Sequence, residues 1–397
     1  MTRRLFWAGS ALLLGLWADA RPAAAADSCS FVQRGSLWLL KADCETDRTI
    51  VIPQGVTLDG RGHRITAVDP AEGHFLGAVV RNGGSIAHVR NLIVDSRELA
   101  DVCDADTPPD QRLRGILFEA ASGSIVSSHV LDIGQGASGC QEGNAIDVRN
   151  PPYDGTHPAT QHVAIWGNRV ARYQKTGILA NGDVEVDVAA NRVSGQGPID
   201  FIAQNGIQLG YGAFGQVRLN HVEQNVYTRG TFGSGGILLL LAGAPITVQG
   251  NVVNDCDLGI ALDGTSGARV IANRLGDITD DGIGVYGASA AASGNQIEHN
   301  WVDGSGLGID VYGGLATRNS IAHNEVVESG GIGIQIELGA SNVVLHNRLL
   351  RSASYGVSVN ADQTRVVGNR VLGSGTQGLR VVGEQNLVFG NLVLPPD

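Results

Sequence analysis

Between Ser293 and Gln385 the chain repeats itself. The segments NQIEHNWVDGSGLGIDVYGG, NSIAHNEVVESGGIGIQIELG, NVVLHNRLLRSASYGVSVNA and TRVVGNRVLGSGTQGLRVVG follow one another. Each places an Asn between two short apolar stretches, then a small polar turn, then Gly and an alternating stretch. The Asn residues are Asn300, Asn324, Asn347, Asn369 and Asn391, and the Gly residues are Gly308, Gly333, Gly356 and Gly378, so both series step by 22 to 25 residues. A fixed period of this size, with no helical pattern, marks a stacked solenoid, because each unit buries its apolar face only against its neighbours. Ile309 and Val311 alternate with Asp310 and Tyr312, and Ile334 and Ile336 with Gln335 and Glu337, which puts apolar groups on one face and polar groups on the other. Three short strands per repeat, joined by tight turns, make one coil of a right-handed parallel β-helix, with successive coils ~4.8 Å apart. An Asn held at the same turn of every coil satisfies its amide by bonding up the stack. A leucine-rich repeat would need a recurring Leu frame, whereas this chain uses Ile, Val and Gly.

The same frame extends backwards with wider spacing. Its Asn positions are Asn168, Asn191, Asn220, Asn251 and Asn273, with Asn91 and His129 continuing toward the N-terminus. Its strand-opening glycines are Gly115, Gly177, Gly206, Gly236, Gly259 and Gly282, with Asn144 in the place of Gly in NAIDVR. The prediction is an all-β chain forming one right-handed parallel β-helix of roughly a dozen coils, a rod about 55–60 Å long. Residues 27–66 form its N-terminal cap and first coil and residues 67–397 its body. A cap is needed because an open solenoid end recruits other strands.

Residues 1–26 read as a secretory signal. Arg3 and Arg4 are followed by an apolar run from Leu5 to Trp17 that is too short to span a membrane, and Ala24, Ala25 and Ala26 offer a cleavage site before Asp27. The mature chain is expected to be secreted, extracellular or periplasmic, monomeric and without membrane insertion. Removing the signal takes away Arg3, Arg4, Arg21 and Asp19, a net of +2, so the charge of −11 becomes −13. That acidity argues against nucleic acid as a partner.

Export permits disulfides. Cys29 and Cys44 bracket the stretch SFVQRGSLWLLKAD, read as the first strand, and are expected to pin the cap. Cys103 and Cys140 each precede a Gly-strand and are expected to pair across neighbouring coils, leaving Cys256 as a free thiol. Long loops at 97–114, 134–143 and 150–161 border one sheet near its N-terminal half, where function tends to reside. Leu179, Leu238 and Leu240 should point outward from that sheet as an apolar patch or as ground covered by loops.

The Asn-strand-turn-Gly-strand coils, over residues 50–393, resemble the right-handed parallel β-helix repeats of the pectate-lyase-like superfamily. That superfamily holds lyases, hydrolases, epimerases, binding proteins and phage tailspikes, so the resemblance implies a fold and a polysaccharide partner more than one reaction. It also implies that ligand lies along the Gly-strand sheet. Two polar groups emerge among the outward residues of that sheet.

The first group is Asp147, Arg149 and Lys175, with Glu142 in the adjoining turn. A lyase or epimerase acting on a uronate needs a base such as Lys175 or Arg149 and neutralisation of the sugar carboxylate. Glu142 and Asp147 offer oxygen ligands to Ca²⁺. The second group is Asp257, Asp280, Asp281 and Asp310. TDDGIGV, residues 279–285, is similar to the paired-Asp coil of polygalacturonase-like hydrolases, and NDCDLGI, residues 254–260, to their Asn-x-Asp coil, although their Gly-His-Gly and Arg-x-Lys coils have no counterpart here. An inverting hydrolase needs two carboxyls, one protonated and one activating water. LGIDVYG, residues 307–313, resembles the Tyr-Gly-x-Asp-Pro-His strand of mannuronan epimerases at Asp310, while Leu307, Val311 and Tyr312 depart from it.

Two further columns recur. His299, His323 and His346 precede ladder Asn residues; a stack along a rod diverges from any single ion, so they read as packing. Arg169, Arg192, Arg274, Arg348 and Arg370 follow ladder Asn residues and are expected to cover the sheet with their stems and pair with carboxylates. The sequence thus leads with lyase or epimerase chemistry on an extracellular polysaccharide at Lys175, Arg149 and Asp147. Its alternatives are a hydrolase at Asp280, Asp281 and Asp310, and a non-catalytic carbohydrate-binding or adhesion rod.

Overall fold

A computed structural model describes residues 28–102, 108, 111–137, 139–153, 159–229 and 233–395. The signal reading of residues 1–26 and the cleavage site fall outside the described residues. All regular elements among the described residues are strands, and they wind into a right-handed parallel β-helix. Each coil has three faces. One is a 15-stranded sheet; the other two join into a 25-stranded sheet, because strands such as Arg274–Tyr286 and Trp301–Tyr312 run through the corner between them.

The cap differs from the sequence reading in one respect. Residues 30–43 are not a single strand but a hairpin, with Phe31–Arg34 antiparallel to Leu37–Leu40. Leu37–Leu40 then pairs parallel with Val56–Asp59 of the first coil and so covers the core end. Phe31 stacks on Trp38 at 4.0 Å between ring centres, and Cys29 is bonded to Cys44. Cys140 is also disulfide-bonded; its expected partner, Cys103, lies outside the described residues. Cys256 is a free, buried thiol.

The core is a column of alternating Ile, Val and Leu, such as Ile260, Ile283, Ile309, Ile334 and Val357, all fully buried and stacked in register. The Asn ladder runs beside it without a break from Asn168 to Asn391. In a representative rung, the backbone N–H and side-chain amide of Asn300 both donate to Asn324 Oδ1 at 2.9 and 3.0 Å, and the same amide donates to the Val270 carbonyl at 2.9 Å. Each side chain therefore replaces bonds that the sharp turn denies the backbone. Toward the N-terminus the ladder continues through Ser128 and Leu92, not His129 and Asn91 as the sequence suggested. Asn91 instead occupies the preceding left-handed turn position, with φ of 49°. A second ladder, Asn295, Asn319 and Asn342, supports the opposite corner.

The ladder gives a direct stability test. Asn324→Leu removes the acceptor of two Asn300 donors and the donor to Ile297 and Asn347. Burying those orphans costs about 1–3 kcal/mol each. Thermal unfolding of the variant should fall clearly below the parent while far-ultraviolet circular dichroism keeps its β signature. An unchanged midpoint would contradict the ladder.

Candidate functional site

The Gly-strands form the face that carries both polar groups. Their pairing fixes two outward rows. One runs Leu117, Asp147, Leu179, Gln208, Leu238, Ala261, Gly284, Asp310, Gln335, Ser358. The other runs Glu119, Arg149, Asn181, Gly210, Leu240, Asp263, Tyr286, Tyr312, Glu337, Asn360. The alternation therefore assigned the outward positions correctly. Outward does not mean exposed, however.

The first group corrects the expectation of free, solvent-facing side chains. Asp147 is 2% exposed and accepts from Arg114 Nε at 2.5 Å and from the Asn144 amide at 3.2 Å. Arg149 is also buried and pairs with Glu119 at 2.6 Å. Glu142 accepts the Leu113 backbone N–H at 2.9 Å. Asp147 is thus half of a buried ion pair that the sequence does not signal, because Arg114 opens its Gly-strand ahead of the alternating outward positions Leu117 and Glu119. A guanidinium against Asp147 opposes a second positive charge there, so these donors do not fit a Ca²⁺ cage. Lys175 lies one coil further on, in the turn before its strand, and its ammonium donates to the Ala203 carbonyl at 2.7 Å. Burial lowers its pKa to about 8.

The second group divides. Asp257 accepts from the Tyr227 and Ser234 backbone at 2.8 and 2.7 Å and from the Thr279 hydroxyl at 3.0 Å, so it is a structural clamp and not a free acid. Asp280 is exposed beside it. Asp281 and Asp310 are different: they are 5% and 6% exposed, and one oxygen of each, Oδ1, accepts no hydrogen bond among the described residues. The Tyr286 hydroxyl donates to the other oxygen of Asp281 at 2.5 Å. It reaches there by lying flat along its own strand across Gly284. A Cβ at Gly284 would meet the phenol oxygen at 2.1 Å, so only glycine permits this arrangement. Asp310 is the partner of Gly284 in the next coil, which sets it beside the phenol.

The electrostatics follow from burial and crowding of like charges. Burial chiefly, with the neighbouring Asp280 charge, raises Asp281 to about 6 against the opposing Tyr286 hydrogen bond. Burial and the Asp281 charge raise Asp310 to about 8, although Gln335 donates to it. Tyr286 is pushed well above its usual value by burial and by Asp281. The outward positions Ala261, Asp263, Gly284, Tyr286, Gln335, Glu337, Ser358 and Asn360 around Asp310 carry no cation; the next residue along the row, Arg380, is the first, and its guanidinium reaches back to the Ser358 hydroxyl at 3.5 Å. The site therefore holds a protonated carboxyl and an ionised one near pH 7, the ionised one bonded to a phenol, in a field that repels anions. Of the sequence candidates, Asp281 and Asp310 are brought together; Lys175, Arg149 and Asp147 sit several coils away, and Tyr286 was not foreseen.

The two recurring columns behave as packing. The imidazoles of His299, His323 and His346 stack at 5.2 and 5.5 Å, and no group of three His, Cys, Asp or Glu among the described residues is arranged to hold a metal ion. Arg274 lies over the Trp301 ring at 4.4 Å, while Arg192 and Arg348 pair with Glu223 and Glu325.

Comparison with known proteins agrees on the fold. A family model described as a right handed beta helix region matches residues 157–318. No curated protein matches the chain. Among solved structures, a mutant of the periplasmic alginate epimerase AlgG superposes with a TM-score of 0.58 at 12% identity, over 90% of this chain and 78% of that one. AlgG without substitution gives 0.53 at 13% over the same shares. The Dettilon tailspike protein gp208 gives 0.47 at 15%, over 89% of this chain and 61% of its own.

Proposed function

We propose that this chain is an exported hydrolase of a neutral polysaccharide, with Asp310 as general acid and Asp281 as general base. The observation that carries this reading is the pair of buried carboxyls, each with an oxygen left unbonded, set beside one phenol on the outward face of the Gly-strand sheet. Asp310 gives its proton to the glycosidic oxygen as the bond from that oxygen to the anomeric carbon breaks. Asp281 takes a proton from the water whose oxygen bonds to that carbon. One water is consumed, and the products are a reducing end and a free hydroxyl; solvent then returns each carboxyl to its starting state. Tyr286 holds Asp281 in place by donating to one carboxylate oxygen, which leaves the other, Oδ1, for the water. The outward positions of the two coils on either side of Asp310 carry acids and no cation, with Arg380 standing three coils on, which favours a neutral sugar at Asp310 over a uronate, whose carboxylate would meet Asp280, Asp281 and Glu337. Export rests on the signal-like residues 1–26 and agrees with the Cys29–Cys44 disulfide. A polysaccharide partner is in keeping with the fold shared with an alginate epimerase.

The second reading is lyase or epimerase chemistry at Lys175, favoured by one feature: a lysine lowered to about 8 is suited to abstract a proton near neutral pH. Purified protein is to be incubated with a panel of neutral and uronate polysaccharides, with Ca²⁺ and with a chelator. New reducing ends from a neutral chain, with no ultraviolet-absorbing unsaturated product, support the hydrolase. Unsaturated ends or epimerised uronate, abolished in Lys175→Ala, support the second reading. Binding without turnover leaves a carbohydrate-binding rod.

A further inference from the structure

Along one margin of the Gly-strand sheet, from the coil of Asp147 toward the acid pair, runs a strip of exposed side chains. Tyr153 and Tyr211 are 45% and 42% exposed, and their rings stack at 5.9 Å between centres with 22° between planes. They come from turns 58 residues apart in sequence and meet because an intervening coil has no side chain to separate them. Tyr153 lies against Gly182, where a Cβ would stand 3.0 Å from its ring. Leu241 follows in the next coil at the position equivalent to Tyr211, is 41% exposed, and covers Gly264 beyond it. At the foot of the pair stands Asn181, whose carbonyl oxygen is buried and accepts no hydrogen bond among the described residues. A Cβ at Gly210 would fall 2.7 Å from that oxygen, so only glycine fits against it.

Large exposed aromatic rings beside an unsatisfied buried acceptor are not accounted for by folding, since both features oppose stability. They match one chemistry. A sugar ring presents an apolar C–H face to an aromatic ring and hydroxyl donors at its edge. The ion pairs underneath, Arg149 with Glu119 and Arg114 with Asp147, are internally neutralised and call for no charged ligand. The strand of Tyr211 and that of Tyr286 are three coils apart, about 14 Å along the axis, the reach of a short oligosaccharide.

We propose that Tyr153, Tyr211 and Asn181 form a binding subsite for a neutral sugar ring, and that the saccharide chain runs from there over Leu241 along the rod to Asp310. The assignment of the chain's far end rests on the hydrolase reading; the subsite itself does not. Affinity electrophoresis through gels containing soluble xyloglucan, galactomannan, starch or dextran, with alginate as the charged comparison, tests it. The parent protein should be retarded by at least one neutral gel. Tyr211→Ala and Tyr153→Ala should each weaken that retardation about 3- to 10-fold, Tyr211→Phe should keep it, and Asp310→Asn should keep it too. Retardation by none of the neutral gels, by alginate alone, or undiminished in the double alanine variant overturns the subsite. So does a change in oligomeric state of the double variant on gel filtration, which would make the strip a protein contact. If Asp310→Asn and the parent bind alike but the parent releases no reducing ends, the subsite stands and the hydrolase reading fails.

Discussion

Asp310→Asn should lower turnover of the neutral polysaccharide by about 10²- to 10⁴-fold, the loss expected when a general acid is removed, and Asp281→Asn should act similarly. Both substitutions keep the side-chain volume and remove a buried acid, so neither should unfold the protein. Tyr286→Phe should act more mildly. Without its hydrogen bond Asp281 loses the one interaction that lowers its pKa, so the acid side of the activity profile should move to higher pH. Lys175→Ala should leave hydrolysis intact, because Lys175 lies several coils from the acid pair and its ammonium donates to the Ala203 carbonyl. The assay is initial rate of reducing-end release, with thermal melts confirming the fold of each variant.

The second large effect is on stability. Asp310 is faced by Asp280, Asp281 and Tyr286 from the preceding coil and by Gln335 and Glu337 from the following one. Its folded pKa of about 8 stands above the ordinary 3.8. The folded state thus holds a proton that the unfolded state releases between those values, and stability must fall as pH rises through that window. The contribution is on the order of a few kcal/mol. Asp310→Asn, neutral at every pH, should melt well above the parent at pH 8 and close to it at pH 4. Lys175 has the opposite sign in a different window: its folded pKa of about 8 lies below the ordinary 10.5, so its contribution grows as pH rises from 8 toward 10.5. A difference between parent and Asp310→Asn that does not grow from pH 4 to pH 8 would contradict the buried-acid environment.

The fold was legible because its determinants are local and periodic. Asn324 and Gly308 recur at fixed spacing, and an Asn that bonds its own counterpart one coil away leaves the same mark in every repeat. The second ladder, Asn295, Asn319 and Asn342, is also written in the repeats, as the Asn that opens NQIEHN, NSIAHN and NVVLHN, but it recurs over fewer coils than the first. The outward rows were legible for the same reason: period-two alternation puts Asp147 and Asp310 on the outward face.

What the sequence did not give was environment. Alternation marks Asp147 as an outward oxygen ligand, but Arg114, outside the alternation, lies against it. Asp257 looked like a catalytic acid, but the turn at Ser234 turns its backbone N–H toward that carboxylate. Tyr286 depends on a side-chain direction along the strand that only the Gly at 284 hints at. Tyr153 and Tyr211 belong to turns without any shared motif, and their contact exists only once the coils are stacked.

The most direct test of the proposed chemistry is the pH dependence of kcat/KM on a neutral polysaccharide. An ionised base at Asp281 and a protonated acid at Asp310 predict a bell, rising through about pH 6 and falling through about pH 8. A profile that instead rises through pH 8 and stays high requires a neutral lysine as the active form. That result would contradict the carboxyl pair and move the chemistry to Lys175.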